Sequence, residues 1–215
     1  MRIVCLSDTH GYHRDVDVPA GDVVLVAGDL TRRGRLEEIR AFDAWLGELP
    51  HGEKVVIAGN HDFGFERDPT ARDLLTNARY LQDEGLELEG FALWGSPWQP
   101  WFYDWAFNLP RGEELRRVWQ RIPEETDILM THGPPAGVLD RCADGRRVGC
   151  EDLREAVERV QPLLHVFGHI HEAYGFEEHG DTLFVNASNC NREYRPTQPA
   201  IVVELVAGQP ARIVS

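Results

Sequence analysis

The stretch Val55-Val56-Ile57-Ala58-Gly59-Asn60-His61-Asp62 joins an apolar run to a polar cluster. Four consecutive apolar residues are typical of a strand buried on both faces, and the cluster places an amide, an imidazole and a carboxylate at the end of that strand. A Gly-Asn-His-acid sequence is expected about 0.004 times in a chain of this composition, so the motif is specific. It predicts an α/β sheet with functional side chains at its carboxyl edge.

Four further apolar runs end in the same way, each in a cluster of polar residues. They are Ile3 to Leu6 before Asp8-Thr9-His10, Val23 to Ala27 before Gly28-Asp29, Ile128 to Met130 before Thr131-His132-Gly133, and Leu163 to Phe167 before Gly168-His169-Ile170-His171. Ligands of open α/β sheets bind at the carboxyl ends of strands. We therefore expect the five clusters to converge.

The segments around these runs predict helices and hairpins. A three-to-four-residue apolar spacing is typical of amphipathic helices, and it occurs at Leu36, Ile39, Phe42, Leu46 and Leu49 and again at Leu153, Val157 and Val160. Beyond residue 171 the pattern favours hairpin strands at 174–178, 183–187, 201–206 and 212–214. We expect these later strands to form a second sheet packed on the first.

The charge balance restricts the function. The chain has 22 basic and 36 acidic residues among 215, a net charge of −14, and this argues against a protein that coats nucleic acid. The only lysine is Lys54, so a Walker-type phosphate loop or a Schiff-base enzyme is not indicated. The four cysteines contain no C-x-x-C pair and are expected to be reduced. No apolar stretch approaches the ~20 residues of a membrane helix, so we expect no membrane partner and a cytoplasmic location.

Carboxylate, amide and imidazole groups dominate the five clusters, and no thiolate is among them. Such donors suit Mn²⁺, Fe or Zn²⁺ in a catalytic site rather than a structural zinc site. Because seven donors exceed what one ion can use, we predict two divalent transition-metal ions. The predicted ligands are Asp8, His10, Asp29, Asn60, His132, His169 and His171.

Asp29 is predicted to bridge the two ions because it directly follows a central strand. The remaining ligands of one ion are then Asp8, His10 and His171, and those of the other are Asn60, His132 and His169. His169 and His171 are two positions apart, so in extended backbone their side chains point the same way, ~6.5 Å apart, and reach neighbouring ions. Two ions ~3.5–4 Å apart would lower the pKa of a bound water and hold the attacking and leaving oxygens of a phosphoryl group.

His61 is the predicted general acid. Because its neighbour Asn60 is assigned to a metal, the His61 side chain is expected to diverge toward the leaving group, where an imidazole can protonate a departing alkoxide. Asp62 either orients His61 or caps the following turn. The predicted catalytic set is therefore His61, Asn60 and Asp62.

Together these motifs resemble the calcineurin-like metallophosphoesterases over at least residues 3 to 171. Gly95 to Phe102, Trp105 to Gly112 and Asn186 to Ser188 are similar to the metallophosphoesterase-domain-containing subfamily. The resemblance implies a four-layer αββα sandwich of two mixed sheets flanked by helices, a dinuclear centre and phosphodiester hydrolysis, with cyclic nucleotides among the substrates. No linker or repeat divides the chain, so residues 1–215 are expected to form a single domain.

An aromatic stretch is harder to interpret. Residues 94 to 107 hold seven of the 20 aromatic residues of the chain. They either pack beneath a long loop, form a base-stacking wall beside the metals, or form a homodimer interface. Trp98, Trp101 and Phe102 are the candidate substrate contacts, and Arg111 either contacts a substrate phosphate or forms a salt bridge at a helix start.

Three classes of function remain. The preferred prediction is a phosphodiesterase that cleaves small phosphodiesters by attack of a metal-bridging hydroxide, with phosphomonoesters and phosphoproteins as alternative substrates. The second class is a metal-dependent nuclease, against which the charge of −14 argues. The third is a catalytically silent metal-binding scaffold, against which the complete ligand set argues.

Overall fold

The computed structural model describes residues 1–214, which form two large sheets, one small sheet and four α-helices. The strands are β1 (Arg2–Leu6), β2 (Val23–Ala27), β3 (Glu53–Ile57), β4 (Arg79–Tyr80), β5 (Glu84–Leu88), β6 (Phe91–Ser96), β7 (Gln99–Pro100), β8 (Asn108–Leu109), β9 (Ile128–Thr131), β10 (Leu164–Phe167), β11 (Gly175–His179), β12 (Thr182–Asn186), β13 (Ile201–Glu204) and β14 (Arg212–Ile213). The helices are α1 (Leu36–Glu48), α2 (Phe63–Arg67), α3 (Glu113–Trp119) and α4 (Glu151–Val160).

Both large sheets are mixed. The first has the order β14-β13-β1-β2-β3-β4, with β1 to β4 parallel and β13 antiparallel to β1. The second has the order β11-β12-β10-β9-β6-β5, in which the four central strands are parallel and the two edge strands antiparallel. All five strands that carry the predicted functional clusters, β1, β2, β3, β9 and β10, are among these parallel strands.

Three apolar clusters stack the elements into four layers. Alternate residues of β1 face opposite ways, so that Ile3 and Cys5 pack between the two sheets while Val4 and Leu6 pack against α1. On the far side of the second sheet, Leu129 packs with residues of α3 and α4. The fold is therefore a four-layer αββα sandwich, as the family resemblance implied.

The later strands are distributed differently from the sequence prediction. The hairpin β11–β12 joins the second sheet, but β13 and β14 join the first, where β13 pairs with β1. Two of the five strands that precede predicted ligands, β9 and β10, lie in the second sheet. Strand pairing depends on contacts between distant segments, which a local hydrophobic pattern does not specify.

The carboxyl ends of the two sheets meet at one edge of the sandwich. Ser7, just after β1, bridges to Ser188, just after β12, and this bridge joins the sheets where the polar clusters lie. Within residues 1–214 no helix has the length and hydropathy needed to cross a bilayer. All four cysteines are free thiols.

Candidate metal centre and cleft

The loops after the strands hold several predicted ligands in an unusual backbone conformation. Asp8, His10, Asp29 and His169 have positive φ values of 52°, 44°, 51° and 68°. This left-handed region is unfavourable for residues that carry a Cβ atom, and such strain concentrates at functional sites. Hydrogen bonds between loops hold it in place, among them Asp8 N to Gly28 O (3.0 Å) and His10 N to Asp29 O (2.9 Å).

The glycines of the motifs are required by close packing. A Cβ atom on Gly28 would lie 2.5 Å from Nδ1 of His132, and one on Gly168 would overlap the Asp8 carboxylate. A Cβ atom on Gly59 would overlap Asp29. Each glycine therefore lets a neighbouring loop bring its ligand side chain into the site.

The first cluster consists of Asp8, His10 and His171. Nε2 of His171 lies 3.1 Å from Oδ1 of Asp8 and 3.1 Å from Nε2 of His10. The other Asp8 oxygen accepts hydrogen bonds from His169 N and from the hydroxyl of Ser188, both at 2.9 Å. Ligand atoms of the three residues are close enough to share one cation.

The second cluster is arranged around Asp29 and His132. Nε2 of His132 lies 3.0 Å from Oδ1 of Asn60 and 3.5 Å from Oδ1 of Asp29. The other oxygen of Asp29 lies 3.7 Å from Nε2 of His10, so the two oxygens of Asp29 face different clusters. The ring of His169 lies beside that of His132, with centroids 5.0 Å apart.

The donor chemistry of the site fits divalent cations. Nδ1 of His132 donates to the carbonyl of Ala27 and Nδ1 of His171 to that of Asn191, so in the neutral rings both Nε2 lone pairs point into the site. There the lone pair of His132 faces the amide oxygen of Asn60, which can only accept hydrogen bonds. These facing acceptors are stable only with protons or cations between them.

The pKa values of the site reflect the close approach of its carboxylates and imidazoles. Burial opposes protonation, but the carboxylates raise the pKa of His132 to about 9 and that of His171 to about 8. Burial opposes ionisation of Asp8 and Asp29, but the surrounding imidazoles hold the pKa of both carboxyls below the usual range. The protons of the two imidazoles thus stand where a cation would bind. Burial lowers the pKa of His10 to about 4, which favours the neutral, metal-binding ring.

His61 lies closer to the clusters than the sequence reasoning expected. Its Nδ1 lies 3.1 Å from the carbonyl of Arg32, which fixes the tautomer, and its Nε2 lies 3.9 Å from Asp29. Its ring packs edge-on against that of His10, with centroids 4.5 Å apart. The side chain therefore turns its free nitrogen toward the site.

Asp62 has neither of the two roles that the sequence suggested. Its buried carboxylate accepts hydrogen bonds from Gly59 N, Leu30 N, Thr31 N and the Thr31 hydroxyl. Asp62 precedes α2, but its side chain makes no capping hydrogen bond. Asp62 instead links the loop after β2 to the loop after β3 by hydrogen bonds. It therefore helps to position Asp29 and Asn60, which lie on these two loops.

A cleft of about 360 Å³ opens above the clusters, and the aromatic stretch forms part of its wall. Trp101 and Phe102 line it and are 61% and 51% exposed. Trp98 does not belong to this wall, which corrects the sequence prediction: it packs against the core, and its Nε1 donates to Asp83. Arg111 lines the cleft, but its guanidinium is bound by Glu151 and by backbone carbonyls.

Sequence reasoning missed several residues that shape the site. Ser188 supports Asp8, Trp105 packs on His61, and Tyr194 packs on His10. Asn186 in turn accepts a hydrogen bond from the backbone N–H of Ser188, at 3.2 Å. The sequence offered two signals for this support, the similarity of the Trp105 to Gly112 and Asn186 to Ser188 segments to a known subfamily and the aromatic stretch 94 to 107, but neither assigned a role to these residues.

Comparison with known proteins shows the family of this chain and agrees with its fold. The family model for calcineurin-like phosphoesterases matches residues 1–173. This chain belongs to that family, and so to the metallophosphoesterases, phosphoric ester hydrolases that use divalent metal ions.

Curated relatives extend the similarity over most of the chain. Metallophosphoesterase domain-containing protein 1 of Homo sapiens is 47% identical over 230 residues, which cover 95% of this chain and 71% of the relative. A UPF0046 protein of Caenorhabditis elegans is 40% identical over 207 residues, covering 89% and 71%. The crystal structure of TT1561 of Thermus thermophilus has a TM-score of 0.59 at 15% identity, over 86% of this chain and 88% of that one, and supports the fold alone.

Proposed function

We propose that the protein is a dinuclear metal-dependent phosphodiesterase that hydrolyses small phosphodiesters, cyclic nucleotides among them, with His61 as general acid. The observation that carries the proposal is the position of Asp29. One of its oxygens faces His132 and the other faces His10 and His61, at the floor of the aromatic cleft.

In this proposal Asp29 would be a ligand of both ions. Asp8, His10 and His171 would hold one ion, and Asn60, His132 and His169 would hold the other. Oxygen and imidazole donors without thiolate suit Mn²⁺, Fe or Zn²⁺. When bound, such a pair supplies a nucleophilic water at neutral pH and Lewis acidity for the phosphoryl oxygens.

His61 supplies the proton for the leaving group. The carbonyl of Arg32 binds Nδ1–H, so the exchangeable proton of the imidazolium is on Nε2, which faces the site. Only 12% of the side chain is exposed, so the ring is held in one orientation. Asn60 and Asp62 belong to the same loop as His61. Asn60 is a proposed metal ligand, and the Asp62 carboxylate fixes the loop through its hydrogen bond from Gly59 N.

The cleft suits a compact anionic diester with an aromatic group. Trp101 and Phe102 expose their rings at its wall, and stacking on a nucleobase contributes roughly 1–3 kcal/mol. A polymer would require a basic surface, which a chain of net charge −14 does not favour.

Two measurements test the metal centre. Elemental analysis after reconstitution is expected to give about two transition-metal ions per chain, and one ion or none would contradict the dinuclear assignment. Bis-p-nitrophenyl phosphate is expected to be hydrolysed with added Mn²⁺ and to be stable after chelation. A metal-loaded protein that leaves every diester intact would be a scaffold.

The role of His61 is tested by His61→Gln. We expect unchanged metal content and a loss of roughly 10²–10⁴ on 2′,3′- and 3′,5′-cyclic nucleotides, whose leaving groups need a proton, with little loss on p-nitrophenyl esters. His179→Gln, an exposed histidine on β11, is the matched control. Equal losses on both substrate types would show that His61 holds metal or structure instead.

A further inference from the structure

Two aromatic rings adjoin His61, and the functions assigned above use neither. The indole of Trp105 packs on His61 with ring centroids 4.3 Å apart, and the ring of Tyr194 lies 5.9 Å from it. Tyr194 also contacts His10 and His171, at 4.7 and 5.4 Å. Both rings line the cleft.

Trp105 is held firmly in its place. Phe63 stacks on it with centroids 5.8 Å apart, and the guanidinium of Arg33 lies 5.4 Å from its ring. The next residue, Ala106, donates its N–H to the carbonyl of Asn60 at 3.1 Å. The indole is therefore fixed relative to the loop that carries His61.

Tyr194 is fixed by a different loop. Its φ of 56° is unfavourable for a tyrosine, and the turn that begins at Asn191 holds it there through Tyr194 N to Asn191 O, at 2.9 Å. The side chain of Asn191 accepts from Glu193 N and Arg195 N, each at 3.0 Å. The Asn191 carbonyl also accepts from His171, so the turn that places this ring also orients a predicted metal ligand.

The exposed rings of Trp101 and Phe102 lie on a different side of the clusters from Trp105 and Tyr194. Phe102 adjoins His169, with ring centroids 6.4 Å apart. Trp105 and Tyr194 instead adjoin His61. A phosphodiester has two substituents, of which the one that leaves must lie beside the proton donor.

We infer that Trp105 and Tyr194 form a leaving-group subsite for a flat group, an aryl or nucleoside moiety. This inference rests on the proposed phosphodiesterase function and on His61 as its acid. In an acyclic diester, whose two substituents are separate groups, the wall at Trp101 and Phe102 contacts the substituent that stays on phosphorus. Trp105 and Tyr194 are thus specificity-determining residues.

The test compares two diesters that share a retained methyl group and have leaving groups of similar acidity but different shape. Methyl phenyl phosphate releases a flat ring, and methyl hexafluoroisopropyl phosphate releases a compact, branched alkoxide. We expect Tyr194→Ala and Trp105→Ala to lower the ratio of kcat/KM for the first over the second roughly tenfold, the size of a lost stacking contact. Tyr194→Phe keeps the ring and is expected to keep the ratio.

The controls separate this effect from a general loss of structure. Tyr103 is a matched control for Tyr194, because its backbone φ of 53° is similar. Its ring is 66% exposed and does not line the cleft, so Tyr103→Ala should leave the ratio unchanged. Phe102→Ala should also leave the ratio unchanged, because the wall at Phe102 contacts the retained methyl group, which is the same in both diesters. Melting temperatures of all variants identify unfolding.

The outcomes are distinct. If the wild-type protein hydrolyses the diesters but the ratio is constant in Tyr194→Ala and Trp105→Ala, the subsite is wrong and the phosphodiesterase function stands. If the metal-loaded wild-type protein hydrolyses neither diester, the proposed function itself is wrong, and the subsite with it.

Discussion

The metal-centre loops and the aromatic wall lie within one cleft but are built in opposite ways. Asp8, Asp29 and His132 are at most 2% exposed and are held by hydrogen bonds from several loops, whereas Trp101 and Phe102 are more than half exposed. Buried polar groups without partners are costly, so every ligand requires neighbours that fix it. Exposed rings make few contacts and can be replaced at little cost to folding. The chemistry of the site is therefore tightly constrained, and its specificity is open to change.

The largest effect is expected at the centre of the buried region. Asp29→Ala should lose both ions and lower diester hydrolysis by roughly 10³-fold or more, because its two oxygens face both clusters. Metal content measured with activity checks this, and Asp181→Ala at an exposed turn is the control. His171→Ala and Asn60→Ala should each weaken mainly one ion. A full complement of two metal ions in Asp29→Ala would show that the bridging assignment is wrong.

The tight packing behind the ligands predicts the next effect. In Gly168→Ala the new methyl group would overlap the Asp8 carboxylate and the Ser7 hydroxyl, so we expect a loss of roughly 3 kcal/mol in the free energy of unfolding. In Gly133→Ala the nearest atom, on Gln99, lies 3.5 Å away, an ordinary contact. Denaturant unfolding of both variants checks the prediction. Equal stability would mean that the Gly168 loop is not rigid.

Two tryptophans three positions apart sharpen the comparison between regions. Trp98 packs on the core and donates a hydrogen bond to Asp83. Trp98→Ala should therefore lower the free energy of unfolding by roughly 2 kcal/mol and reduce activity on all substrates in parallel. Trp101 is 61% exposed, so Trp101→Ala should keep the melting temperature and lose roughly 1–3 kcal/mol of transition-state binding for nucleotides relative to aryl esters. An unchanged substrate ratio in Trp101→Ala would remove the evidence for base stacking.

The smallest effect concerns a buried histidine that is not a predicted ligand. Nε2 of His165 bonds Thr131, whose hydroxyl donates to Gly133, so the free nitrogen Nδ1 is buried without a partner. Burial lowers the pKa of His165 to about 3.

The sign of this effect follows from linkage. The unfolded chain takes up the proton below pH 6.5 while the folded chain does not, so this group lowers stability as the pH falls from 6.5 toward 3. The wild type should therefore lose about 1.4 kcal/mol relative to His165→Phe between pH 7.5 and 5.5. Urea unfolding at the two pH values measures the difference, and parallel curves would show that His165 is protonated in the fold.

The sequence by itself determined many of the local elements and supplied the candidate ligands of the site. The apolar runs predicted β1, β2, β3, β9 and β10, the three-to-four-residue spacing predicted α1 and α4, and the rare Gly59 to Asp62 motif indicated a metal site. These signals succeed because side-chain periodicity and strand-end polarity are properties of contiguous residues.

Only the tertiary structure decided which distant residues meet. It sends β13 to the first sheet, turns Asp62 toward the loop after β2, and places Tyr194 on His10. It also separates Trp98 in the core from Trp101 at the cleft, although the local sequence does not distinguish the two. Each of these contacts joins segments far apart in the chain, and their free energy depends on packing and hydrogen bonding that exist only once the two sheets have closed on each other.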